Sequence, residues 1–117
     1  MPGPRDLPPH LVKKIEAYVK PFRLEKIKQA LGEAGFAPLR LIQAQVTTAE
    51  PRQEIYQGTE FNVDMDARVL LMTMVEDKDV ATITRIIESA ASTGNPDDGN
   101  IIITDVEEII PIDGEET

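Results

Sequence analysis

The chain has no cysteine and no tryptophan, a single histidine, and only three phenylalanines and two tyrosines in 117 residues. Without cysteine, thiolate nucleophiles, disulfides and cysteine-ligated zinc or iron are excluded, and a reducing cytosol is the natural setting. A Ser-His-Asp or histidine-metal site fails on inventory: His10 is the lone imidazole and stands in a proline-rich stretch with nothing to hold it in place. The aromatics (Tyr18, Phe22, Phe36, Tyr56, Phe61) are too scattered for a base-stacking platform and read as packing residues. No apolar run approaches the ~18 residues that span a bilayer, and residues 1–11 lack the apolar core of a signal peptide, so no membrane insertion and a cytoplasmic location are expected. Neither G-x-x-x-x-G-K-[ST] nor G-x-G-x-x-G occurs, which removes both common phosphate cradles.

Positive charge is scarce as well. Lys and Arg number 12 against 21 Asp and Glu, a net charge of −9, so a nucleic-acid partner is disfavoured. The imbalance is polar along the chain: residues 1–40 hold eight basic and four acidic side chains, and no Lys or Arg follows Arg85. Asp97, Asp98, Asp105, Glu107 and Glu108 are hard oxygen donors, but EF-hand spacing is absent, and a solvated acidic rim is the simpler reading; no metal site is assigned.

What is present suffices for one domain, since 41 % of the residues are apolar. Four prolines mark residues 1–11 as an extended leader, and the folded part begins near Val12. Ile15, Ala17 and Val19 alternate with Glu16, Tyr18 and Lys20, a strand that Pro21 ends. Leu24, Ile27, Leu31 and Ala34 recur at helical spacing and Gly35 stops the helix. Leu39 to Val46 forms a second strand. From Val46 to Asp66 neither period is sustained, which predicts a long loop, a length that tends to be functional or disordered. Arg68 to Val75 is a third strand; Val80, Ile83, Ile86, Ile87, Ala90 and Ala91 line a second helix. The turn formers Thr93 to Asn100 then precede a short strand at Ile101 to Ile103, with an extra strand at Glu108 to Ile112 as an option. The Gly-bearing turn could receive an anion on its N–H groups or simply reverse the chain.

The order strand, helix, strand, loop, strand, helix, strand makes an α+β, ferredoxin-like βαββαβ domain: an antiparallel sheet with both helices on one face. Leu70, Met72 and Met74 alternate with Val69, Leu71 and Val75, so the other face is apolar too. Covering about 600 Å² of it at roughly 25 cal/mol per Å² is worth about 15 kcal/mol before association costs. Another subunit is the simplest cover, although periodicity does not fix the number of subunits.

Five colinear motifs carry a resemblance. Lys13-Lys14-Ile15-Glu16-Ala17, Lys20-Pro21-Phe22-Arg23-Leu24, Glu54 to Phe61, Thr93 to Ile101 and Val106-Glu107-Glu108-Ile109-Ile110 resemble, in order, those of the PII signalling proteins across residues 12–117. The resemblance implies a homotrimer with adenine-nucleotide clefts between subunits, a T-loop at about 46–64, a B-loop at about 93–100 and a C-loop at about 107–115. It also implies a regulator without catalytic residues or an obligatory cofactor, which docks through the T-loop on a protein target, a transporter or an enzyme.

The departures sharpen the expectation. Where the family carries a uridylylated tyrosine this chain has Phe61, which has no hydroxyl. Asn100 replaces the B-loop lysine, Pro111 and Asp113 replace two C-loop arginines, and Asp97 replaces a phosphate-facing glycine. Hydrogen bonds to charged groups contribute about 1.5 to 3 kcal/mol each, so three lost cations imply a triphosphate affinity lower by several orders of magnitude. Val46 and Thr48 stand near the family's T-loop glycines, and the loop is about one residue shorter, which disfavours the usual Mg-ATP and 2-oxoglutarate cradle. These losses resemble the divergent, carboxysome-associated PII-like branch, which implies AMP or ADP and bicarbonate as effectors. The implied nucleotide-binding residues are Leu39, Arg40, Met74, Asp98, Gly99 and Asn100; the candidate anion-binding residues are Lys20, Arg52 and Arg68. Each could equally be core, turn or solvated charge. A nitrogen-regulatory paralogue without uridylylation and a trimeric scaffold that has lost ligand binding stay open beside this reading.

Overall fold

A computed structural model gives the architecture; it describes residues 11–36, 38–56 and 59–112, with 48–56 and 59–64 described as backbone only. The elements are β1 (Val12–Val19), α1 (Leu24–Glu33), β2 (Arg40–Tyr56), β3 (Thr59–Glu76), α2 (Val80–Ala91) and β4 (Gly99–Asp105). Short 3-10 turns, Pro21–Arg23 and Asp77–Asp79, lead into the two helices. Pro21 starts its turn where a missing N–H costs nothing, and Asp77 and Asp79 place negative charge at the positive end of the α2 dipole.

The sheet is antiparallel in the order β2-β3-β1-β4, the expected ferredoxin-like arrangement. Both helices lie on one face. Ile27 and Leu31 of α1 and Ile83, Ile87 and Ala90 of α2 pack on Ile15, Ala17, Val19, Val69 and Leu71, the odd-numbered residues of β1 and β3. α1 closes as the sequence predicts. Gly35 takes φ 87°, its N–H reaches Gly32 O at 3.0 Å and the Phe36 N–H reaches Leu31 O at 2.9 Å, a Schellman cap whose Phe36 packs on the core.

The other sheet face carries Ile42, Leu70, Met72, Met74 and Ile102 around a Lys14–Glu16 ion pair. Ile42 is 48 % and Ile102 44 % exposed, an apolar surface uncovered in the single chain.

Two expectations change. The stretch 46–66 is not an irregular loop: β2 and β3 run on as a two-stranded arm out to Tyr56↔Thr59. Pairing there needs only backbone groups, so hydropathy alternation gives no signal for it. The ladder slips between Thr47↔Met65 and Arg52↔Val63, beside Pro51, which has no N–H to donate. The optional strand at Glu108 to Ile112 does not form either; after Asp105 no residue of the described chain to Ile112 is in a strand, although the Val106 N–H bonds Val12 O at 3.1 Å. The leader, except for Leu11, and the end of the expected C-loop from Asp113 lie outside the described residues. No helix among the described residues is long and apolar enough to cross a membrane.

Candidate functional site

The ends of β1 and β4 and the root of the arm meet at the loop between α2 and β4. Gly99 is the hinge of this meeting. Its φ is +126°, and a Cβ there would stand 1.8 Å from Tyr18 O, so only glycine lets β4 come down beside β1. Ahead of it the loop is tied by one carboxylate. Asp98 Oδ2 accepts from the Thr93 N–H at 2.6 Å and the Asn95 N–H at 3.3 Å, while Oδ1 accepts from the Thr93 hydroxyl and from Lys20 Nζ at 3.2 Å. That fills the roughly four acceptor positions of a carboxylate. The Thr93 hydroxyl, the Thr93 N–H and Lys20 together hold the Asp98 carboxyl far below its ordinary range.

Lys20 has a second partner. Its Nζ lies 3.0 Å from Asp97 Oδ1, and the two carboxylates, Asp97 first, raise the ammonium pKa above the ordinary lysine value. Lys20 in turn lowers that of Asp97. Arg68, in β3 opposite Ala44, donates through Nη1 to Ala67 O at 2.8 Å and through Nη2 to Asp97 O at 3.1 Å, joining the arm to the loop. Arg23 ties the 3-10 turn that leads into α1 to the same loop, its Nη2 donating to Ser92 O at 2.9 Å.

Between loop and arm runs a cleft lined by Gln45, Thr47 and Arg68 on one side and by Pro96, Asp97 and Asn100 on the other, over Tyr18 and Ile102. At about 1340 Å³ it exceeds the roughly 300 to 1,000 Å³ of an ordinary small-molecule pocket, and as a single chain it is an open trough. Arg68 is the one cation among its described lining residues, which also include Asp66 and Asp97. No three metal-ligating side chains converge among the described residues; Asp97 and Asp98 turn to Lys20 instead.

The residues expected from the sequence fall into separate groups. Lys20, Arg68, Asp98, Gly99 and Asn100 gather around the loop. Leu39, half-buried against the core, Arg40 and Met74 lie elsewhere. Asn100 is level with Leu70, and four residues of β3, roughly 14 Å at ~3.4 Å per residue, separate Leu70 from Met74. Arg40 and Asn100 belong to β2 and β4, the opposite edges of the sheet. One chain therefore does not bring the two sets together. Arg52 pairs through its backbone with Val63, five residues up β3 from Arg68, and its side chain lies outside the described ones. Sequence reading missed Thr93 and Asn95 as partners of Asp98. Ser/Thr and Asn close to Asp in a turn-rich stretch is the local signal for such bonds.

The model of the nitrogen regulatory protein P-II family matches residues 12–116. The chain belongs to the P-II family. It is 37 % identical over 102 residues to the nitrogen regulatory protein P-II of Azospirillum brasilense, covering 86 % of this chain and 91 % of that protein. Against the same-named protein of Rhizobium meliloti strain 1021 it is 36 % identical over 107 residues, 91 % of this chain and 96 % of the relative. The Porphyra purpurea protein, also a nitrogen regulatory protein P-II, is 36 % identical over 86 % of this chain and 91 % of its own length.

Proposed function

We propose that the protein is a cytoplasmic, homotrimeric PII-like sensor that takes AMP or ADP in preference to ATP, with bicarbonate as a second effector, and that relays occupancy through the β2–β3 arm to a transporter or enzyme. Family membership supports a regulator that works by population shift rather than chemistry. The trimer rests on the uncovered apolar face and on the separation of the two residue sets: a ligand touching both Asn100 and Arg40 or Met74 has to straddle two copies. The effector preference rests on one observation, the state of the loop cations. Lys20 is held by two carboxylates, Arg68 by two carbonyls, and Asn100 adds no charge, which leaves little for a polyphosphate of high charge. A mono- or diphosphate, or a monovalent bicarbonate, needs less.

Titration calorimetry with AMP, ADP, ATP and bicarbonate tests the reading. Binding of AMP or ADP at least tenfold tighter than ATP is the expected result, and silence for all four sinks it in favour of a scaffold. The names of the relatives favour a second reading, a nitrogen-regulatory paralogue that escapes uridylylation because Phe61 has no hydroxyl. Tight ATP binding enhanced by 2-oxoglutarate would establish that alternative.

A further inference from the structure

The two carboxylates on Lys20 are not equivalent. Asp98 is 16 % exposed, has its acceptor positions filled by Thr93, Asn95 and Lys20, and holds the loop together. The Asp97 side chain is 66 % exposed, and Lys20 is the partner the structure gives it. Its own main chain is anchored independently by Arg68. The Asp97 carboxylate can therefore swing off Lys20 without undoing the loop, whereas that of Asp98 cannot. Lys20 itself is only 14 % exposed, and Asp97, not Lys20, lines the cleft.

We propose that Asp97 is a specificity-determining residue, a tethered rival that occupies the anion seat on Lys20 and so sets an upper limit on the charge of the ligand the cleft accepts. The inference rests on the cleft being the effector site and deepens that reading by naming what excludes polyphosphates. A carboxylate on a short tether competes at a high effective concentration, so an incoming anion must both displace it and tolerate its charge nearby. A ligand of low charge that leaves the Lys20–Asp97 pair closed meets neither penalty.

Inorganic pyrophosphate is the probe, because it carries charge without adenine and so separates this proposal from nucleotide recognition, which AMP and ADP test on their own. In calorimetry at low salt, Asp97→Asn should bind pyrophosphate at least tenfold tighter than the parent chain. Asp97→Glu, which keeps the charge, should stay within about threefold of the parent. Adding Lys20→Met to Asp97→Asn should abolish the gain. In the unaltered chain at saturating pyrophosphate, the Asp97 side-chain carboxyl carbon should shift in NMR spectra while that of Asp98 stays put, a measurement that holds even if a variant folds poorly. A folded Asp97→Asn chain no tighter than the parent, a gain that survives loss of Lys20, or an Asp97 carboxyl unmoved with pyrophosphate bound overturns the proposal.

Discussion

At the scale of single residues, the loop before β4 depends on one backbone position and one carboxylate. Gly94 and Gly99 both have positive φ, but nothing lies within 4 Å of a Cβ at Gly94, whereas Gly99 faces the Tyr18 carbonyl. Gly94→Ala should therefore lose only about 1 kcal/mol, the left-handed strain. Gly99→Ala should lose about 3 kcal/mol or more, because β4 must also part from β1. Denaturant midpoints of the two variants check the difference. The acid limb of stability depends on Asp98. A carboxyl lowered in the fold stabilises fully above its ordinary range, and that contribution falls away progressively as pH drops from the ordinary range through the lowered value; the raised Lys20 stabilises fully below the ordinary lysine value of 10.5 and loses it as pH rises through its own. The Thr93 amide resonance should accordingly stay fixed from about pH 9 to about pH 4, while unpaired carboxylates begin to titrate. Thr93→Val removes the hydroxyl that lowers Asp98 most, so the carbon-13 titration of that carboxyl should move up toward the ordinary range.

At the scale of elements, the arm and the sheet have different sources of order. Residues Val69 to Met72 of β3 pair on both sides, with β1 and β2, whereas Thr59 to Arg68 pair with β2 alone. A ribbon of two strands is marginal by itself in water, so its form answers to what it touches. None of the buried core residues comes from 40–66 among the side chains described. Replacing residues 48–64 by Asn-Gly between the paired Thr47 and Met65 should leave the unfolding free energy within about 1 kcal/mol and, on the relay reading proposed above, should abolish docking on the protein target. Chemical denaturation and pull-down against the target measure the two halves of that statement. An arm deletion that unfolded the chain would show that the arm belongs to the core.

At the scale of the whole molecule, the uncovered sheet face is the feature with the largest consequence. Met72 lies in its middle, opposite Glu16 on β1 and Arg40 on β2. If three copies close on this face, Met72→Glu should convert trimer to monomer at micromolar concentration in sedimentation experiments. Stability of the parent chain should rise with its own concentration, and that of the variant should not. Helical circular dichroism should survive in the variant, since both helices pack on the opposite face through Ile27, Leu31, Ile83 and Ile87.

The amino-acid order alone determined the two helices, the four strands in outline and the apolar second face, because burial on a helix or a sheet leaves a period of 3.6 or 2 that neighbouring residues reveal. It also determined the family, through five motifs in order, and the cations that are missing. The arm escaped it, since backbone pairing in a two-stranded ribbon imposes no hydropathy pattern. Only the tertiary structure decided what Lys20 does. Asp97 and Asp98 lie 77 and 78 residues further along the chain, and no local rule links them; β1 and β4 must first pair across Gly99 before the ammonium and the carboxylates meet. The placement of Arg40 and Asn100 on opposite edges of the sheet is likewise a matter of strand order, because register in space and distance in sequence are independent once a chain crosses over.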